Sequence, residues 1–386
     1  MENSYDIIIV GAGPAGSATA IDLAKRGYRV AMIDKEVFPR DKLCGDFVNP
    51  INWPLFDTLG VAERVRAQPH AVVRRFRLTT HLGAQAQAPF PLNGREDGFG
   101  LGLRRVALDQ VLLEKAEEMG VSIFQGYKAT KLERRTGAWI VEVVGSDMNR
   151  RLEAPVLVGA DGRNSTLAQR AGLNVSGRVN GRAVGAQLHL RGSTINDNVE
   201  IHLFAGGYAG LVGLGDGTVN LCLAIDKARL ANQSVEEILF DRCLPHNPYL
   251  KKILSGSERV GIIRWTYPVY FPARRSYAER VLLVGDAARV SEPVTGEGIY
   301  FAMRSGLLAA AAIDQAFHAG NFSAAFLKRY ELNCRREFRS RQILNSLIRF
   351  AIYRPRLVTR LTDGFGASER LLDALVGAIC IPKAIV

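Results

Sequence analysis

A chain of 386 residues that is 47% hydrophobic and 23% charged is long enough for two or three structural units and apolar enough to bury a sizeable core. Its five cysteines are widely spaced and form no C-x-x-C pair, which leaves no pattern for a disulfide framework or a zinc site, and no metal is expected. The net charge is +12, but residues 328–360 hold ten Lys/Arg against two Glu, so the remainder is too balanced for a nucleic-acid-binding domain.

Tyr5–Val10 (YDIIIV) is a β-rich apolar run of the kind buried in a parallel sheet. GAGPAG (Gly11–Gly16) follows, then a helical stretch Ser17–Arg26, a stop at Gly27 and a strand Arg29–Ile33 ending at Asp34. Together they make one βαβ unit. A helix is predicted at Pro54–Arg66 and alternating strand at Val72–Thr79. Arg105–Met119 is an amphipathic helix with Leu108, Val111, Leu112 and Ala116 on one face.

Strands are predicted at Val121–Tyr127, Leu132–Val144 and Val156–Val158. Gly215-Asp216-Gly217, between Gly210–Leu214 and Thr218–Ile225, predicts a hairpin, so the Gly-rich run Gly210–Gly217 is a turn and not a second phosphate loop. A short helix at Val235–Arg242, a strand at Tyr267–Phe271 and a buried strand at Val281–Val284 come next. An Ala-rich helix runs from Gly298 to His318, and the chain from Asn321 reads as helical with a break at Arg354-Pro355. No stretch reaches the ~20 apolar residues of a spanning helix. The first strand begins at Tyr5 with no leader before it, so the expected compartment is the cytoplasm.

Gly11-x-Gly13-x-x-Gly16 sits between a strand and a helix, with Asp34 at the end of the next strand. Gly11 permits the tight turn, Gly13 lets backbone approach a pyrophosphate, and Gly16 lets helix pack on strand. The helix N-terminus then holds phosphate charge, and Asp34 accepts from a ribose hydroxyl. VLVGADGRNS (Val156–Ser165) and VLLVGDAARVSEPVTGEG (Val281–Gly298) are each a buried strand ending in Gly and an acid, Asp161 or Asp286. Those acids suit sugar or ribityl hydroxyls, with loop and helix capping as the other reading.

Taken in order, GAGPAG…Asp34, GADG and GDAA…TGEG resemble the three FAD-binding fingerprints of the para-hydroxybenzoate-hydroxylase-like flavoproteins. Within that superfamily, KLCGD (Lys42–Asp46) and PVTGEGI (Pro293–Ile299) are most similar to the geranylgeranyl reductase family, and the likeness covers residues 5–330. It implies an α/β fold in which a Rossmann-type FAD-binding domain (1–75, 97–175 and 278–320) carries an inserted strand-rich substrate domain (76–96 and 176–277) and a helical C-terminus (321–386). The implied cofactor contacts are Gly11, Gly13, Pro14, Ala15, Gly16, Asp34, Lys35, Arg40, Cys44, Gly45, Arg105, Ala129, Asp161, Gly162, Asp286, Gly296, Gly298 and Ile299. Arg105, spaced R-x-x-x-D with Asp109, would offset pyrophosphate charge. Backbone N–H groups at the Gly298 helix start would favour negative charge on a reduced flavin.

The resemblance implies an FAD-dependent oxidoreductase that reduces a C=C of a hydrophobic, isoprenoid or lipid-like substrate by hydride from flavin N5, with NAD(P)H as transient donor. The alternative is an NAD(P)H-dependent flavin monooxygenase hydroxylating an aromatic or lipidic substrate. A non-catalytic flavin-binding protein is a third reading, against which the intact motifs argue. Arg289 stands where hydroxylases usually carry a His after GDAA. GIIRWTYP (Gly261–Pro268) departs from the G-W-x-W-x-I-P of flavin halogenases, and no lysine lies between Lys42 and Lys115, which weighs against halogenation.

No catalytic acid or base emerges. Cys44 is the candidate beside the flavin, and a buried small hydrophobe is its other reading. Tyr208, Trp265, Tyr267, Tyr270 and Phe271 are candidates to wall an apolar substrate. Phe322, Phe326, Tyr330, Cys334 and Phe338 recur every four residues, giving a C-terminal helix one apolar stripe with arginines on its other faces. That pattern serves either peripheral attachment to anionic lipid or packing on the flavin domain with solvated arginines.

Overall fold

The computed structural model describes residues 3–91, 98–146, 148–174, 183–193, 195–229, 247–354, 356–360 and 369–381. A six-stranded sheet runs in the order β18 (Tyr277–Ala278), β19 (Val281–Leu283), β12 (Val156–Gly159), β1 (Ile7–Val10), β2 (Val30–Asp34), β8 (Ser122–Gln125), parallel apart from the β18–β19 pair. β1 needs its unbroken Ile-Ile-Ile-Val run because both faces of the sheet are covered, and every residue of it is buried.

One face, through Ile7, Ile9, Met32, Val156 and Val158, packs on α1 (Pro14–Lys25), α4 (Arg105–Glu118) and α7 (Gly298–His318). The other, through Ile8, Val10, Ala31, Ile33 and Leu157, packs on α5 (Thr166–Arg170) and a three-stranded sheet of β11 (Asn149–Ala154), β10 (Ala138–Val144) and β9 (Lys128–Arg135).

A seven-stranded sheet has the order β17 (Glu258–Thr266), β13 (Ala183–Arg191), β16 (Thr218–Asp226), β15 (Gly207–Gly213), β14 (Asn198–Phe204), β5 (Arg75–Thr79), β6 (Gln85–Pro89). Only its β14–β5 pair is parallel. The β15–β16 hairpin turns at Gly215 and Gly217, both at positive φ, as the sequence predicts. A small sheet of β3 (Phe47–Val48), β7 (Gly100–Gly102) and β4 (Ala71–Val73) lies beside it in sequence.

Two expectations change, and a third is not tested. The helix predicted at Pro54–Arg66 is two, α2 (Trp53–Leu59) and α3 (Ala62–Arg66), because Gly60 ends the first in the left-handed conformation at φ 73°. Tyr267–Phe271 is not a strand: β17 stops at Thr266, Pro268 has no N–H for a ladder, and only Phe271 makes a single bridge, to Val290. The Val235–Arg242 helix lies outside the described residues.

α6 (Pro248–Leu254) follows that segment, and the chain ends in α8 (Ala324–Ile352) and α9 (Glu369–Cys380). The stripe that recurs every four residues faces inward: Tyr330 and Phe338 of α8 are buried, while Phe326 and Cys334 of α8 and Phe322 just before it are half-buried against the helical side of the six-stranded sheet. No helix among the described residues is long and apolar enough to cross a membrane.

Candidate functional site

The carboxyl ends of β1, β2, β12 and β19 open into a cavity of about 1730 Å³ that the seven-stranded sheet walls on its other side. This edge is where doubly wound sheets bind ligands. Its polar arm begins at the first glycine turn. Gly11 has φ 107°, and a Cβ there would stand 2.3 Å from the Ala160 carbonyl oxygen, so only glycine fits. α1 has Gly13 at its N-cap and α7 has Glu297, with no side-chain cap on either, which leaves their first N–H groups to a ligand.

Asp34 is held rigidly: Ala12 N donates to its Oδ2 at 2.8 Å and Glu36 N to its Oδ1 at 3.0 Å. Arg40 lies 3.8 Å from Asp34 and 3.2 Å from the buried Asp109. Arg105 donates to both oxygens of Asp109 at 2.8 Å. Burial works against the Arg105 cation, but Asp109 outweighs it and holds the pKa above that of an ordinary arginine. Two fixed cations therefore face the cavity beside the first fingerprint, where a pyrophosphate needs them.

Pro14, Ala15, Lys35, Gly45, Ala129, Gly162, Asp286, Gly296 and Ile299 also line the cavity. Asp286 stands 3.9 Å from Arg163, and Lys42 faces it with a pKa lowered by burial, which Asp286 opposes. Gly16 does not line the wall: it packs α1 against the Gly11 carbonyl, 1.9 Å from where its own Cβ would be.

Asp161 spends one oxygen on capping, since its Oδ2 accepts from Thr166 N, Thr166 Oγ1 and Leu167 N at 2.8–3.1 Å. Its Oδ1 is buried at the cavity wall with no hydrogen-bond partner among the described residues. That orphaned acceptor, the crowded Gly11 and the two uncapped helix starts fit a dinucleotide.

The Lys42–Asp46 loop lines the cavity through Lys42, Leu43, Cys44 and Gly45, and the seven-stranded sheet clamps it. Cys44 N donates to Gln187 Oε1 at 3.1 Å, and the Cys44 carbonyl accepts from Asn220 Nδ2 at 2.9 Å and Cys222 Sγ at 3.2 Å. Asp46, at φ 49°, accepts from Arg105 N at 2.9 Å and Gln187 Nε2 at 3.2 Å, with His189 Nε2 3.1 Å away. Sequence reasoning missed Gln187, His189 and Asn220; polar side chains on otherwise apolar strands were the available signal. Burial raises the Cys44 pKa even with Arg105 opposing, so the thiol stays protonated and is a poor nucleophile.

The other arm is apolar. Val199, Ile201 and Leu203 of β14 and Leu78 of the neighbouring β5 form one wall, and Ile348 of α8 and Val376 of α9 also line it. Of the five aromatic candidates only Tyr208 lines this cavity, buried, with its hydroxyl donating to Glu292 Oε1 at 2.7 Å. Trp265 and Tyr267 are 46% and 43% exposed, because β17 is an edge strand whose alternation sends Trp265 outward. Tyr270 lies under the Arg349 guanidinium at a separate shallow pocket, and Phe271 is buried beneath Arg274. The apolar arm does carry aromatic side chains, among them Phe47, Phe76 and Phe90, but apart from Tyr208 they are not the ones the sequence suggested.

A parallel sheet with a glycine turn, an anchored acid at the end of β2 and two open helix starts around one long cavity defines a dinucleotide-binding flavoprotein. The chain belongs to the FAD binding domain family, whose model matches residues 4–200. It is 29% identical over 86% of its length to conditioned medium factor receptor 1 of Dictyostelium discoideum, covering 67% of that protein. It is 27% identical over 86% of its length to digeranylgeranylglycerophospholipid reductase 2 of Methanopyrus kandleri, covering 83% of it. The flavin-dependent brominase Bmp2 shares the fold, with a TM-score of 0.80, 22% identity and coverage of 98% of this chain and 94% of that one. The protein is thus an FAD-dependent enzyme of a family that contains reductases and halogenases.

Proposed function

We propose that this flavoenzyme reduces a carbon–carbon double bond in an isoprenoid or lipid-like substrate, with NAD(P)H as a transient electron donor. The observation that carries the reading is the continuity of one cavity, polar at the FAD fingerprints and apolar from Leu78 to Val376. Bound FAD supplies the hydride chemistry. The chain supplies the rest. Asp34, Arg40 and Arg105 hold the nucleotide end, and the start of α7 stabilises negative charge near Gly298. Val199, Ile201, Leu203 and Ile348 exclude water from an extended apolar chain and align it with the Gly296–Gly298 turn. Tyr208 keeps its proton, because burial and then the neighbouring Glu292 carboxyl raise its pKa well above the ordinary value.

Reduction is favoured over halogenation by the absence of a lysine between Lys42 and Lys115 and by the departure at Gly261–Pro268. The test is NADPH oxidation by the FAD-loaded protein with and without oxygen, across isoprenoid and phenolic substrates. The reading expects isoprenoid-dependent oxidation that persists without oxygen. Oxidation that requires both a phenol and oxygen would replace it with a monooxygenase.

A further inference from the structure

α8 is 29 residues long, and its two halves face different surroundings. The first half turns Tyr330 and Phe338 into the core. The second half presents Ile343, Leu347 and Phe350 to solvent, at 54%, 61% and 55% exposure. Their i, i+4, i+7 spacing puts all three on one helical face. Exposed Arg336 and Arg339 precede this patch, and exposed Arg354 and Arg356 follow it, with Arg354 lying 3.6 Å over the Phe350 ring. No Asp or Glu occurs between Glu337 and Asp363. Single exposed apolar side chains are ordinary, but three on one helical face with only cations flanking them along the helix are not.

A second observation gives the patch a direction. Leu347, the most exposed of the three, also lines the cavity, together with Leu344, Ile348 and Ala351 from the same turns of α8. The patch is therefore the outer rim of the apolar arm.

We propose that this face of α8 docks on the surface of an anionic lipid bilayer and sets the mouth of the apolar arm against the acyl layer. The chemistry selects that occupant. Ile343, Leu347 and Phe350 enter the headgroup–acyl boundary, while the arginines on either side reach lipid phosphates. This is a different face from the Phe322–Phe338 stripe, which is already committed to the core. A water-insoluble substrate can then pass from bilayer to cavity without crossing water. That last step rests on the proposed function, whereas the docking surface does not.

The test uses the full-length, FAD-loaded protein and co-sedimentation with vesicles of phosphatidylcholine alone or mixed with phosphatidylglycerol. The variant is Ile343→Glu/Phe350→Glu, which touches no cavity-lining residue. The wild type is expected to pellet with the anionic vesicles, and the bound fraction to fall about tenfold in high salt and in the variant, with flavin spectrum and melting temperature unchanged. Equal pelleting with both vesicle types, or equal pelleting of variant and wild type, overturns the proposal. So does a concentration-dependent dimer that the variant abolishes while neither protein pellets, since the face would then join two copies of the chain. Activity is read separately: the variant should keep turnover of a short, water-soluble isoprenoid and lose it for the same double bond embedded in vesicles. A wild type that binds the anionic vesicles but turns over neither isoprenoid counts against the reductase reading and leaves the docking surface standing.

Discussion

The Tyr208 hydroxyl and the Glu292 carboxylate lie 2.7 Å apart, both buried, and join the central hairpin of the seven-stranded sheet to the loop between the GDAA and TGEG segments. Burial raises the Glu292 pKa, with donation from Tyr208 and the charge of Arg349 opposing it. A carboxyl whose folded pKa is raised contributes stability that is fully present below its unfolded pKa, about 4.3, and lost as pH rises through the folded value. Glu292→Gln keeps an acceptor for Tyr208 and removes the charge. Melting temperatures should show the variant more stable than the wild type at pH 8, with the gap closing toward pH 4. A constant gap across that range would mean that the Glu292 charge is not desolvated.

Tyr208→Phe leaves the Glu292 carboxyl buried without its donor and should cost about 1–3 kcal/mol in chemical denaturation. The flavin content should be unchanged, since Tyr208 belongs to the apolar arm.

Arg341 ties the end of the chain to the flavin loop. Its guanidinium is 2.5 Å from Glu297 Oε1 and also donates to the Ala378, Ile379 and Ile381 carbonyls at the end of α9. Burial raises the Glu297 pKa and Arg341 counters it, so removing the cation strands a buried carboxylate. Arg341→Met should destabilise the fold by about 3–5 kcal/mol, and Arg341→Met/Glu297→Gln should recover much of that loss. Chemical denaturation of the two variants checks both.

The fingerprints predict flavin retention. Gly11→Ala drives a Cβ into the Ala160 carbonyl and should yield protein without the flavin absorbance. Asp286→Ala removes an acceptor from the cavity and should weaken FAD about tenfold to a hundredfold, the worth of one hydrogen bond to a charged group. Titration of stripped protein with FAD measures it.

Ile201→Trp fills the apolar arm from the middle of β14. Turnover of long isoprenoids should fall by more than tenfold while that of the shortest is spared and FAD titration is unaltered. An equal loss for every chain length would move the substrate out of this arm.

The nucleotide half of the site was legible because its physics is local. A strand buried on both faces must be continuously apolar, a turn at φ 107° must be glycine, and the Gly298–His318 helix follows from its own Ala-rich run. The apolar half was not. Val199, Ile201 and Leu203 alternate with Glu200 and His202 along β14, yet periodicity cannot say whether a buried face meets core or cavity. The opposite wall comes from α8 and α9, more than a hundred residues away, and Arg341 finds its partners only in the folded chain. Aromatic type misled for a similar reason. Trp265 and Tyr267 have the chemistry of a greasy pocket, but the edge strand β17 points Trp265 to solvent, and Tyr267, just past the end of that strand, is exposed as well.

The most direct test of the central claim is the product mass after a single anaerobic turnover of a polyprenyl substrate by the chemically reduced protein. The account predicts a gain of two hydrogens per molecule and reoxidised flavin in equal amount. An unchanged substrate mass without oxygen, followed by a gain of one oxygen atom when air is admitted, would contradict it.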